Sequence, residues 1–385
     1  MKILITTDVF IKVDGVSTSV KNLFYGLIEL GHDVRLLTLS GDSKNHKENT
    51  FYYVKSASLD MVYKGIRMPL SYNNKYIKEI IEWKPDVIHS QCEVFTYQYA
   101  LKIAKKTGAP IVHTYHTMYD DYVGYIIPFK RLGRWIIKKL TKVRLKKAGV
   151  LVVPTHKVEK AILDYGLKNE IQVIPSGISL DQHKERISPQ ERLEVRRSMG
   201  IKDDEVVLIT LGRLAPEKNV DEVVRFFANS YKKDNKLRYM IVGDGPSKHE
   251  LERLVKNLNL QDKVIFTGMV EPKEVHLFYQ LGDIFVSSST SETQGLTYVE
   301  AMANGLPLLC RYDDCLNGVL IEGENGYFYS DGQAFDKGLS NLKDKTARKV
   351  AGNKSLEISS LYDKSQFGNA LEKVYKKVLK KSDAN

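Results

Sequence analysis

The residues best suited to chemistry in this chain are Glu292 and Glu300, two carboxylates eight positions apart on either side of Gly295. The segment from Asp283 to Ser289 reads as a buried strand, and Thr297 to Ala303 reads as a helix. Gly295, Leu296 and Thr297 then stand at the helix N-terminus, where unpaired backbone N–H groups suit a phosphate. Glu292 lies in the loop and Glu300 about one turn inside the helix, so the pair can reach different hydroxyl groups of one extended ligand. An isolated glutamate pair is more often a loop acid and an exposed helix position. Nearby cations change its meaning. The apolar run Leu208 to Leu211 stops at Gly212 and delivers Arg213 and Lys218 just beyond its end. A guanidinium fork and a mobile ammonium together can neutralise a diphosphate. Tyr239 to Val242, followed by Gly243-Asp244-Gly245-Pro246, repeats the strand-then-glycine pattern.

These groups need a scaffold that brings strand ends together. At 385 residues the chain is long for one compact unit, and two lobes of roughly 100–200 residues each are expected. Short apolar runs alternate with helical patterns: Lys2 to Thr7, Val34 to Leu39, Asp86 to Ser90, Ile111 to Tyr115, Val150 to Pro154 and Ile171 to Pro175. That alternation predicts an α/β protein of parallel sheets covered by helices. The expected division is a first lobe over residues 1–180, a polar connection over 181–205, a second lobe over 206–364 and a final helix over 365–385. Phe367, Leu371, Val374, Tyr375 and Val378 form one stripe of that helix. Ligands of open parallel sheets bind at the strand C-termini, so two facing sets of strand ends would enclose a ligand between them.

Taken together, these segments resemble the retaining glycosyltransferases with the two-domain GT-B fold, family four of that class, over nearly the whole chain. The resemblance implies two Rossmann-like, doubly wound domains facing a central cleft, with the last helix crossing back to the first. It implies that Arg213 and Lys218 hold the donor diphosphate, that Glu300 binds the nucleotide ribose and that Glu292 contacts the transferred sugar. Asp244, Gly245, Val270, Gly295, Leu296 and Thr297 complete the implied donor site. In the first lobe the loop Asp14-Gly15-Val16-Ser17-Thr18 precedes a helix expected from about Val20 to Leu30, and the resemblance brings Gly15 and Val16 to the donor phosphates. Many members carry two adjacent glycines there, whereas this chain has Gly15 followed by Val16. His116, just past the strand Ile111 to Tyr115, matches the histidine that the family sets near the donor sugar. His113, inside the strand, reads as structural.

Charge adds what the fold does not. Residues 1–180 hold 27 Lys or Arg against 16 Asp or Glu, and so carry the whole net charge of +11. Within them, residues 125–147 contain nine cations and no acid. Phe129, Leu132, Trp135, Ile136, Leu140 and Val143 fall near one helical stripe, flanked by Lys130, Arg131, Arg134, Lys138, Lys139 and Lys142. This is the pattern of an interfacial helix with its apolar face among lipid headgroups. A solvated face over core residues is the plain alternative, and nucleic acid is a second basic partner. No recognised nucleic-acid module accompanies the run. Asp120, Asp121 and Tyr122, between His116 and the basic run, are candidate acceptor-binding residues, with an exposed acidic pair as the alternative.

His113-Thr114-Tyr115-His116-Thr117-Met118-Tyr119-Asp120-Asp121-Tyr122, the basic helix and Gln294-Gly295-Leu296-Thr297 together resemble the bacterial diacylglycerol glycosyltransferases. The implied reaction moves a hexose, glucose by resemblance, from a UDP-sugar to the 3-hydroxyl of diacylglycerol with retention. The acceptor can instead be monoglucosyl-diacylglycerol or a soluble glycan, and a non-catalytic UDP-sugar-binding module is the reading of another class. No cofactor is required and no metal site is expected: the chain has no Asp-x-Asp triplet, its three cysteines have no metal-like spacing, and His113-x-x-His116 has no evident further ligands. No window approaches the roughly 18 apolar residues of a spanning helix. With Cys92, Cys310 and Cys315 unpatterned, a cytoplasmic enzyme peripheral on the inner face of the cell membrane is expected. Oligomeric state and the choice of glucose or galactose stay open.

Overall fold

The computed structural model describes residues 1–10, 14–42, 44–60, 66–118 and 130–382. The chain parts into two compact units, one formed by Met1–Ile178 with Lys364–Asn385 and the other by Ser179–Asp363.

The first unit is built on β1 (Lys2–Thr7), β2 (Asp33–Leu39), β3 (His46–Glu48), β4 (Phe51–Val54), β5 (Ser56–Ser58), β6 (Arg67–Pro69), β7 (Val87–Ser90), β8 (Ile111–Thr114), β9 (Val150–Val153) and β10 (Glu170–Val173). Eight of them form one sheet in the order β10-β9-β8-β7-β1-β2-β4-β3, and β5 and β6 pair separately. All neighbours in the large sheet run parallel except β3 and β4. A sheet covered on both faces buries every residue of its inner strands, so they read as continuous apolar runs. Ile3 to Thr7 are all buried. One face packs Leu4, Ile88, Leu151 and Val153 against Tyr97, Tyr99 and Ile103 of the helix Thr96–Thr107. The other packs Ile3, Ile5, Val112 and Val152 against Leu23, Phe24 and Leu27 of the helix Gly15–Glu29.

The terminal helix Lys364–Ser382 joins that second face. Phe367, Leu371, Val374, Tyr375 and Val378 are all buried there, as their stripe predicts. Close approach depends on Gly26, where an added Cβ would lie 2.9 Å from the Lys364 carbonyl oxygen. The first helix begins earlier than expected. It starts at Gly15, not near Val20, because Asp14 caps it by accepting from the Ser17 N–H at 2.7 Å. Gly15 and Val16 therefore belong to the first helical turn and not to a preceding loop.

The second unit holds β11 (Val206–Leu211), β12 (Leu237–Val242), β13 (Val264–Gly268), β14 (Ile284–Ser287), β15 (Leu308–Arg311) and β16 (Gly326–Tyr329). Their order is β13-β12-β11-β14-β15-β16, all parallel. Strand order reverses between β11 and β14, which makes their C-terminal ends the natural ligand crevice of this sheet. The helix Pro189–Ser198 is tied to the sheet's opposite end. Its Arg192 and Arg196 reach Asp283 at 2.9 and 3.2 Å, and Asp283 also accepts from the Val207 N–H at 2.8 Å. Burial opposes ionisation of Asp283, but the two guanidinium groups overcome it and hold its carboxyl below the usual range.

Candidate active site

The switch point of the second sheet is furnished by three loops. After β11 come Gly212 and Arg213 and a short turn, Pro216–Lys218; after β12 comes Gly243-Asp244-Gly245; after β14 comes the loop leading to the helix Leu296–Ala303. The first two loops are in van der Waals register. A Cβ on Gly243 would fall 2.0 Å from the Gly212 carbonyl oxygen, and one on Gly245 would fall 2.2 Å from that of Leu214. Only glycine permits this approach, which the Leu214 N–H to Asp244 carbonyl bond of 2.9 Å then fixes.

Arg213, Lys218 and Glu292 are brought together in this unit. Lys218 Nζ lies 2.5 Å from Glu292 Oε1, which also accepts from Ser289 Oγ at 3.0 Å. Arg213 pairs with Glu217, whose backbone carbonyl accepts from Ser291 Oγ at 3.3 Å. Asn219 follows in the left-handed region at φ 50°, a conformation that asparagine tolerates, and its amide donates to the Ser288 carbonyl at 3.3 Å. The loops after β11 and β14 are thus stitched by side chains on both strands. Arg213 is nearly half exposed and Lys218 about one quarter, so an incoming anion can compete for both cations.

Gly295 caps the next helix at φ 75°, and a Cβ there would strike the Tyr298 ring at 2.3 Å. Leu296 and Thr297 form the first turn as expected, and Glu300 projects one turn on. Tyr279 donates to Glu300 Oε2 at 2.9 Å. Burial pushes the Glu300 carboxyl up to about 7, against the lowering effect of that hydrogen bond. Asp244 pairs loosely with Lys248 at 3.6 Å. Val270 is half-buried just past β13.

In the first unit His116 follows β8, and its Nε2 lies 2.7 Å from Gln91 Oε1. A carbonyl oxygen only accepts, so Nε2 carries the proton and Nδ1 is left as an acceptor. Burial lowers the ring to about 4, which keeps it neutral near pH 7. His113 is fully buried inside β8 and is held near 3, mainly by burial. Asp120, Asp121 and Tyr122 lie outside the described residues, as does the side chain of Lys130.

The helix Lys130–Leu145 has the expected amphipathic character, and much of its apolar stripe is exposed. Leu132, Trp135, Leu140 and Val143 are between 52% and 57% exposed, whereas Gly133, Thr141 and Leu145 are buried. Ile136 is partly covered. Arg131, Arg134, Lys139 and Lys142 are exposed beside the apolar face, and Lys138 is half-buried. Lys139 stands over the Trp135 ring at 4.9 Å. Arg144 anchors the helix by donating to the Glu93 and Val94 carbonyls at 2.9 and 3.1 Å. Among the described residues, no helix is long and apolar enough to cross a membrane.

Glu217 and Tyr279 are the site residues that sequence reasoning missed. Glu217 stands within the Pro216-Glu217-Lys218-Asn219 run and could have been suspected from its four-residue spacing to Arg213. Tyr279, 21 positions before Glu300, sends no local signal.

The chain is similar to known proteins in sequence and in fold. Residues 13–182 fit the family model Glycosyltransferase Family 4, and residues 191–355 fit Glycosyl transferases group 1. The alpha-monoglucosyldiacylglycerol synthase of Acholeplasma laidlawii is 32% identical over 100% of this chain and 98% of its own length. That of Streptococcus pneumoniae is 35% identical over 85% of this chain and 74% of its own length. Among solved structures, Anabaena HepE in complex with UDP and glucose superposes with a TM-score of 0.74 at 15% identity, covering 98% of this chain and 100% of that one. The sucrose-phosphate synthase of Thermosynechococcus elongatus gives 0.76 at 18% identity, covering 98% of each chain.

Proposed function

The chain belongs to the family 4, group 1 glycosyltransferases, which have the GT-B fold, and from that premise we propose that it transfers glucose from UDP-glucose to the 3-hydroxyl of 1,2-diacylglycerol at an anionic membrane surface, with retention. The observation that carries the lipid acceptor is the exposed apolar face of the helix Lys130–Leu145 within a cationic border. Burying its apolar side chains among headgroups would contribute roughly 1.5–3 kcal/mol per fully covered side chain, and each adjacent cation about 1 kcal/mol near an anionic leaflet. The identity to two synthases of monoglucosyldiacylglycerol supports the same acceptor.

In this reading Arg213 and Lys218 leave their carboxylate partners to hold the donor diphosphate. Glu292, released from Lys218, takes a hydroxyl of the sugar, and Glu300 takes the ribose. The N–H groups of Gly295, Leu296 and Thr297 stand at the start of their helix and are offered to the phosphate. The anomeric carbon loses its bond to the phosphate oxygen and gains one to the acceptor oxygen on the same face. The acceptor proton passes to the departing phosphate oxygen. Arg213 and Lys218 stabilise the charge that develops on the leaving group, so electrostatics and positioning carry the catalysis.

The test is a product spectrum. Purified protein given UDP-glucose and vesicles holding both diacylglycerol and monoglucosyl-diacylglycerol should yield the α-linked monoglucosyl lipid. A diglucosyl product, or none with lipid acceptors, would overturn the assignment.

A further inference from the structure

Glu300 does not stand alone in the donor site. Its Oε2 accepts from the phenol of Tyr279, a side chain with no exposed surface. The same hydroxyl lies 3.3 Å from the Thr297 carbonyl. One proton cannot serve both fully, and the shorter contact, to a carboxylate, is the stronger. Oε1 has no hydrogen-bond partner among the described residues and remains available as an acceptor.

The partners are locked in place from behind. Tyr279 belongs to the helix Val275–Leu281, and its neighbour Gln280 donates to the Glu185 carbonyl at 2.8 Å and to Asn304 Oδ1 at 3.2 Å, while accepting from the Ile187 N–H at 3.0 Å. Asn304 in turn donates to the Glu300 carbonyl and to His183 Nδ1, both at 2.9 Å. The residue after Tyr279 and the residue one turn after Glu300 are therefore joined, and the two helices cannot slide without breaking a buried amide link. Such a rigid second layer is what a binding carboxylate needs if its orientation is to be fixed before the ligand arrives.

We infer that Tyr279 is a positioning residue for the nucleotide sugar: its hydroxyl occupies one oxygen of Glu300 and presents the other to the ribose. The inference rests on the reading of this unit as the donor site. It explains a fully buried phenol aimed at a carboxylate. Other charged groups nearby do not touch the Glu300 carboxyl. Arg186 donates to the Ala303 carbonyl at 2.9 Å, and His183, held near 4 chiefly by burial, lies beyond Asn304.

Removing the hydroxyl deprives the ionised carboxylate of its donor, so the Glu300 pKa moves further up and donor binding is lost at a higher pH. Full-length Tyr279→Phe should show a KM for UDP-glucose raised about tenfold with kcat little changed. Calorimetric UDP affinity should fall equally, and its acid-side midpoint should move upward. In a Glu300→Gln background, Tyr279→Phe should add little, since both changes remove one interaction. Equal losses in both backgrounds, or an unshifted midpoint, would reduce Tyr279 to packing and overturn the inference while leaving the transferase reading intact. A wild-type protein that binds no UDP overturns both.

Discussion

The switch point of the second unit and the basic helix of the first treat charge in opposite ways. At the switch point each cation already has a carboxylate: Lys218 has Glu292 and Arg213 has Glu217. Along the helix Lys130–Leu145 there is no acidic residue, and the apolar side chains that would ordinarily face the core stand exposed. On the proposed reading, the first arrangement is a site held ready by internal partners that a ligand displaces. The second, on the same reading, is a surface that meets its neutralising and covering partner at the membrane. A compact, directional ligand such as a diphosphate suits the former, and an extended anionic plane suits the latter.

The contrast can be broken most forcefully at Lys218. Lys218→Ala removes a charge stabiliser and leaves Glu292 without its cation, and product formation should fall about 10²–10³-fold with vesicle binding unchanged. Steady-state rates beside a flotation assay would separate the two. Next comes the exposed face. Trp135→Ser with Leu140→Ser should weaken partition onto anionic vesicles about 10–100-fold, leaving UDP affinity and thermal stability untouched, because neither side chain supports the core. A drop in melting temperature would show that the helix was packed after all.

Glu300→Gln sharpens the site half of the comparison. A carboxyl raised from 4.5 to about 7 is one whose ionisation the fold resists. The stability it contributes is fully present below its unfolded value and is lost as pH rises through 7. The neutral amide should therefore raise stability at pH 8, by at most about 3 kcal/mol, while weakening UDP binding about tenfold. Melting curves at pH 5 and pH 8 would show whether the gain is confined to the higher pH. The smallest effect belongs to one rim cation: Lys142→Ala should lower vesicle affinity about fivefold at low salt and less at high salt.

Much of this was legible in the sequence because it is local. The strands at Lys2–Thr7, Val150–Val153 and Val206–Leu211 announce themselves as unbroken apolar runs, and the terminal helix announces its docking face by the spacing of Phe367, Leu371 and Tyr375. The grouping of Arg213, Lys218 and Glu292 follows from loops at adjacent strand ends. What escaped is either a cap or a distant partner. Asp14 moved the first helix start to Gly15, where Asp14 to Thr18 had been expected to form a loop. Tyr279 reaches Glu300 only because two helices pack in the folded unit. The stripe of the basic helix was readable, but a stripe does not say which side faces out; burial of Gly133, Thr141 and Leu145 decides it.

The most direct test of the central claim is turnover of UDP-glucose by purified protein as the anionic lipid content of diacylglycerol vesicles is raised. The account predicts that glucosyl-lipid formation climbs with anionic content in the wild type and stays flat in the Trp135→Ser, Leu140→Ser protein, while both bind UDP equally well. A rate indifferent to the bilayer, or equal in the two proteins, would contradict it.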